Sequence, residues 1–145
     1  VLLDVVLLTL FGTALSSAVN FHLSTNGQAS AVGTVVSAGY GFICGAYMPV
    51  SAFSTGLQRV ISFLPGTYGT GLLRNHCLAG ALREMEKVGI PKETVEEIKN
   101  SIDCNLYFFG NKVSQGAMYL ILAGATLLLL GVYILFYTIE RKKKK

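Results

Sequence analysis

His76 and Cys77 are adjacent, and a thiol beside an imidazole is the raw material of a nucleophile. Neighbours in sequence point different ways on a helix, so the pair is not expected to act together. His22 and His76 are the chain's two histidines. They fall on opposite sides of a membrane in the topology developed below, so they cannot share a metal. There is no His-Glu pair at metal spacing and no glycine-rich loop closing in Lys-Ser or Lys-Thr. No catalytic, metal or cofactor-binding residue is therefore assigned, and the chain is not expected to hydrolyse ATP itself. Cys77 and Cys104 would share the external side, where a disulfide persists, but no spacing rule decides whether they pair. Cys44 lies in an apolar run and reads as a small packing residue. Asp4 is the one acid within a candidate span, and such acids are functional suspects by default. Its place close to the outer edge makes a surface position the competing reading.

The elements that would position these groups follow from where charge is missing. Of 145 residues, 14% are charged and 52% are hydrophobic, and mean hydropathy is +0.53. A disordered chain is excluded by so much apolar surface, and an ordinary soluble domain is disfavoured. The formal charge of +4 comes from Arg141 to Lys145; residues 1–140 carry seven basic and eight acidic side chains. Such a body does not suit nucleic acid. Val5 to Gln58 is a run of 54 uncharged residues, and Val113 to Ile139 is another of 27. Soluble helices need charge on their outer faces, whereas a bilayer penalises it. The long run divides at the polar stretch 22–28, predicting one span over about 1–21 and a second over about 29–48, stopped by Pro49. The third lies in 113–139, where Met118 to Ile139 would cover roughly 33 Å as a helix. Val1 has no basic leader and no initiator Met, which reads as a span whose protein continues upstream.

Arg141-Lys142-Lys143-Lys144-Lys145 puts the C-terminus in the cytoplasm. The turn 22–28 is then cytoplasmic and the connection 50–112 external. The tail reads as a stop-transfer anchor, with anionic headgroups as a further partner. Residues 51–73 are apolar but interrupted at Gly56, Pro65, Gly66, Gly69 and Gly71, which suits a re-entrant hairpin, with Arg59 snorkelling outward or facing protein or water. Leu78, Leu82 and Met85, then Val95, Ile98 and Ile102, predict two amphipathic helices broken at Gly89-Ile90-Pro91 and lying outside the bilayer. Their mixed charges read as a solvated face.

In the second span Ala29, Gly33, Ser37, Gly41 and Gly45 recur every four residues, a helix-packing stripe. Gly12, Ser16 and Asn20 form a candidate seam in the first span. The neighbouring face of the second span carries Tyr40, Cys44, Tyr47 and Met48. It reads either as the lining of a path for an amphiphile or as plain core.

Residues 29–74 resemble the permease subunits of type-2 ABC exporters. The likeness rests on Gly45-Ala46-Tyr47-Met48-Pro49, Ser51, Leu57-Gln58 and Phe63-Leu64-Pro65-Gly66-Thr67-Tyr68. In that family a span ends in a Gly–aromatic–Pro turn, followed by a short Leu-Gln helix and a Pro-Thr-Tyr turn. The resemblance implies the last three of six spans, a second permease subunit in a homo- or heterodimer, and a partner ATPase domain or subunit that binds ATP and magnesium. It implies alternating access, with the re-entrant hairpin as an outer gate turned at Pro49, Pro65 and Tyr68. The charged segment 75–112 departs from the family's short link, and the upstream half with the coupling helix is absent.

The expected fold is thus an all-α membrane protein: three transmembrane helices, a re-entrant helical hairpin and an external helical insert. Its parts are 1–50 (two spans and a short cytoplasmic turn), 51–74 (re-entrant hairpin), 75–112 (external amphipathic insert) and 113–145 (last span and basic tail). The expected function is the C-terminal half of an exporter permease in the cell membrane, for amphiphilic or lipid-like substrates, drugs or polymers. The alternative is a membrane anchor or scaffold whose external helices bind a partner.

Overall fold

The computed structural model describes every residue except His22, Lys144 and Lys145, and all of their side chains except those of Glu140 and Lys143. The described residues form six α-helices, a 3₁₀ turn and a two-stranded antiparallel hairpin. They run α1 (Leu2–Asn20), α2 (Asn26–Ile43), the 3₁₀ turn (Val50–Ala52), α3 (Thr55–Ile61), α4 (Pro65–Lys87), α5 (Lys92–Ser101), β1 (Tyr107–Phe108), β2 (Asn111–Lys112) and α6 (Gln115–Lys143).

Among the described residues, two helices are long and apolar enough to cross a membrane: α1, and α6 over Gln115–Ile139. They pack side by side and run parallel. Near their N-terminal ends Asp4 meets Tyr119, and at the other end the Phe21 ring lies 5.8 Å from Tyr133 and 5.9 Å from Phe136. α2 is not one of the helices that meet this test: in place of the expected second span over 29–48, the helix covers Asn26–Ile43, long enough but not apolar enough. Its start is set by Thr25, whose hydroxyl accepts from Gln28 N at 3.3 Å while Gln28 Oε1 accepts from Ser24 N at 3.2 Å. That exchange resembles a capping box. Its end is set at Cys44, because Gly45 takes φ +82°, a left-handed conformation that ends helices.

α4 is where the structure differs most from expectation. It runs unbroken across residues 74–75, the predicted border between hairpin and insert. Its first residues lie among the other helices. A β-carbon at Gly66 would sit 2.6 Å from Tyr40 Cε1, and one at Gly69 would run into Leu8 of α1 and lie 3.3 Å from Leu122 of α6. Glycine at these positions lets α4 thread between its neighbours. Farther along, His76 meets Asp4. Since Phe11 packs against Tyr40 with ring centroids 6.0 Å apart, α4 starts near the Phe11 level of α1 and climbs to the Asp4 level. Seven helical residues separate those levels, about 10 Å. Tyr68 and Leu72 on α4, Leu106 and Met118 make the core of this region.

The second half of α4 leaves the helix cluster and packs on α5. Leu82, Val95 and Cys104 are buried there, with Leu78, Met85, Ile90, Ile98 and Ile102 around them. The break between the two helices holds Gly89 at φ +88° and Pro91 before Lys92. The rest of the expected helical insert is not helical. Tyr107 pairs with Lys112 and Phe108 with Asn111, closed by Phe109-Gly110. Both turn residues have positive φ, +48° and +86°, the requirement of a type I′ hairpin turn. Phenylalanine there is strained, and the sequence carries no Asn-Gly cue that would have announced the turn.

Gly69→Val should lower the melting temperature of the detergent-solubilised protein, at an overpacking cost of about 1–3 kcal/mol. Gly80 has open space around its missing β-carbon. Gly80→Ala should raise the melting temperature slightly, by about 0.5–1 kcal/mol of helix propensity.

Candidate functional site

The α3–α4 turn is built from the Leu64-Pro65-Gly66-Thr67-Tyr68 stretch. Pro65 is the first residue of α4, where a missing N–H costs nothing. Thr67 Oγ1 donates to Ile61 O at 3.1 Å, and Tyr68 Oη donates to Ser62 O. These hydroxyls supply donors at the α3 C-terminus, where the helix ladder has run out; Ile61 O also accepts from Leu64 N at 2.9 Å. Gly66 N donates to Tyr40 Oη at 3.2 Å, and Thr70 Oγ1 donates to Cys44 O at 2.8 Å. The turn is thereby tied to the end of α2.

Above it sits an ionic knot. Asp103, 3% exposed and at φ +55°, accepts from Val50 N and, at 3.1 Å, from Ser51 N, capping the 3₁₀ turn. Arg74 Nη1 donates to the same carboxylate at 2.9 Å, and Arg74 Nη2 donates to Gly45 O. Asn75 Nδ2 donates to Cys104 O and, at 2.9 Å, to Gly71 O. One buried carboxylate thus joins the turn after α2, the 3₁₀ turn, α4 and the segment after α5.

A second knot lies where α1, α4 and α6 meet. Asp4 is fully buried, against the expectation that it could be a surface residue. Tyr119 Oη donates to Asp4 Oδ1, and His76 Nδ1 lies 2.8 Å from Asp4 Oδ2, as does Val1 N at 3.1 Å. The burial arises where α1 packs against both α6 and α4, which bring Tyr119 and His76 over the carboxylate. Cys77 points to solvent while its neighbour His76 points to Asp4, and all three cysteines are free thiols: Cys77 exposed, Cys44 and Cys104 buried. Burial pushes the Cys104 thiol above its ordinary range.

Three contiguous clefts open beside the α3–α4 turn, facing the β-hairpin. One of about 280 Å³ is lined by Gln58, Ser62, Tyr68, Asn100, Asn105 and Tyr107 among others. The next, about 430 Å³, adds Arg59 and Phe109. The third, about 400 Å³, is apolar and bounded by Phe63, Phe108, Val113 and Ile121. The hairpin wall is held by Glu96, which accepts from Lys112 Nζ at 2.7 Å and Asn105 Nδ2 at 2.9 Å. The Lys112 ammonium holds the Glu96 carboxyl below its ordinary range.

The residues expected on a substrate path do not share one face. Tyr40 and Cys44 turn inward onto Gly66 of α4. Tyr47 and Met48 lie beyond the end of α2, with the Tyr47 ring folded back 3.0 Å from where a β-carbon of Gly41 would be. The helical stripe therefore ends at Gly41, and Gly45 belongs to the turn. Gly33, Ser37 and Gly41 do face Gly12, Ser16 and Asn20, across a cleft of about 310 Å³ between α2 and α1. Pro49 caps the 3₁₀ turn, and Pro65 and Tyr68 build the α3–α4 turn. Sequence reasoning missed Arg74, Asp103 and Tyr119. The charges of the 75–112 segment looked like a solvated face, and nothing local pairs residue 74 with residue 103. The signal that could have found the pair was scarcity: a chain this poor in charge has few partners to offer.

Asp4→Asn and Tyr119→Phe should each destabilise the folded protein by about 1–3 kcal/mol, the range for losing a hydrogen bond to a buried charged group. In a double-mutant cycle read by thermal melting the losses should not add, since both break one contact. Glu96 has a lowered folded value, so its stabilisation is present above the ordinary carboxylate range and is lost as pH falls through the lowered one. Amide exchange at Tyr107–Lys112 should accelerate over that interval relative to Glu96→Gln, which should show no such step.

No family model, no curated protein and no solved structure matches the chain.

Proposed function

We propose that this chain is the C-terminal half of the membrane-spanning permease of an ATP-driven exporter, acting on amphiphilic or lipid-like substrates, drugs or polymers. It sits in the cell membrane as a multi-pass protein with its basic C-terminus in the cytoplasm. A second permease subunit and an ATPase domain or subunit complete it, and that partner holds the ATP and magnesium. The observation that supports this reading is α4. Its glycine-bearing first turns lie between two helices that are apolar enough to span, and its later turns carry charge. On this reading α3 and the start of α4 are the re-entrant hairpin, α2 is the remaining span, and Pro49, Pro65 and Tyr68 shape an outer gate. The parallel course of α1 and α6 supports the orientation, because it puts Val1 and Gln115 on one side and the basic tail on the other.

The gate would move as a unit, because Tyr68 and Thr67 tie α3 to α4 while Arg74 and Asp103 tie α4 to the turn after α2. ATP-driven closure of the partner domains would rock the spans, and the joined elements would follow together. Tyr68→Phe in the assembled exporter should therefore lower amphiphile-stimulated ATP hydrolysis severalfold while leaving basal hydrolysis unchanged. An assembly in which no ATPase responds to the permease would overturn transport in favour of an anchor or scaffold. Orientation is checked separately: an impermeant maleimide added to intact cells should label Cys77, and labelling only after lysis would reverse the topology.

A further inference from the structure

The three clefts beside the α3–α4 turn share walls: Gln58, Ser62 and Tyr107 line the first two, and Ser62 and Tyr68 line both the first and the third. With the first cleft in the middle, they run from cationic through polar to apolar. In the polar part, Gln58 commits its amide nitrogen to Phe53 O and Ser51 O, which leaves its side-chain carbonyl free. Asn100 commits its carbonyl to Asn105 Nδ2 and Tyr107 Oη, which leaves its amide nitrogen. A free acceptor and a free donor suit a hydroxylated group. Arg59 in the adjoining cleft is exposed and has no ion pair among the described residues, though it is one of few cations in the chain. The apolar part is walled by Phe63 and Phe108, with ring centroids 5.4 Å apart, and Phe109 packs on both. It ends at Ile121, beside the exposed Leu120 on the membrane-facing length of α6.

We infer that these clefts hold one phospholipid of the outer leaflet, with an anionic, hydroxylated headgroup at Arg59, Gln58 and Asn100 and an acyl chain along Phe63, Phe108 and Ile121. The unpaired charge of Arg59 and the continuity of the groove with α6 select this occupant, since the Asp103 carboxylate that also lines the polar part is already engaged by Arg74, Val50 N and Ser51 N. Phe109, strained at φ +48° and 58% exposed, keeps an aromatic wall over the groove where a turn would ordinarily place glycine or asparagine. The inference rests on the membrane reading and not on transport.

The chain has no tryptophan, so a single reporter can be placed without background. The full-length chain carrying Phe63→Trp is reconstituted in vesicles containing brominated phosphatidylglycerol or brominated phosphatidylcholine. Half-quenching is expected at a mole fraction about fivefold lower for phosphatidylglycerol, the size of one basic side chain's preference for anionic lipid. Adding Arg59→Gln should abolish the difference. A second variant, Leu128→Trp on the exposed face of α6, should be quenched equally by both lipids. Equal quenching at Phe63→Trp alongside quenching at Leu128→Trp overturns the lipid site, while no quenching at Leu128→Trp overturns the membrane reading beneath it. If glycerol 1-phosphate at millimolar concentration removes the preference, the clefts take a soluble phosphate and the phospholipid assignment fails.

Discussion

The fold depends on one buried carboxylate. Asp4 sits at the start of an otherwise uncharged helix, fully enclosed, with His76 and Tyr119 reaching it from α4 and α6. A buried acid without partners is among the costliest groups a protein can hold, so its neighbours are fixed by it. Once α1, α4 and α6 meet there, the positions of their glycines follow. Gly69 must lie at the α1–α6 seam, and Gly66 must lie against the end of α2.

Around that point the chain divides its polar work between two knots. Asp4 holds helices together, whereas Asp103 holds loops. Arg74 links them through α4, since it lies two residues from His76 on the same helix and binds both Asp103 and Gly45 O. The 3₁₀ turn, the α2 terminus and the segment before the β-hairpin would otherwise be short unsupported pieces. Their backbone groups are satisfied by side chains from elsewhere in the chain, as buried backbone requires. The result is a cross-linked cap on a helical stem, with clefts along its rim.

Much of this was legible in the residues. The uncharged runs located α1 and α6, because hydrocarbon tolerates no exposed charge and the pattern needs no tertiary information. Leu78, Leu82 and Met85 against Val95, Ile98 and Ile102 marked the α4–α5 pair by periodicity alone. Other features needed contacts distant in sequence. Gly45 reads as the fifth member of a small-residue stripe until its positive φ places it in a turn. Gly66, Gly69 and Gly71 look like interruptions, yet α4 runs through them because each faces a neighbour that only a missing side chain admits. Tyr107 to Lys112 carries a Phe-Gly turn rather than a familiar hairpin dipeptide, so the strands escaped notice. Arg74 and Asp103 are 29 residues apart and were invisible as a pair.

The central claim is that α4 begins among membrane-spanning helices and ends in water. The most direct measurement is a cysteine scan along α4 in vesicles, on a background with Cys44, Cys77 and Cys104 replaced by alanine. Each variant is reacted with a membrane-impermeant maleimide. The account predicts protection at Thr67, Tyr68, Thr70 and Leu72, the glycines between them being left in place, with labelling appearing past His76 on the faces away from α5. Uniform labelling along the whole helix, or protection that alternates with helical period from its first residue, would contradict it.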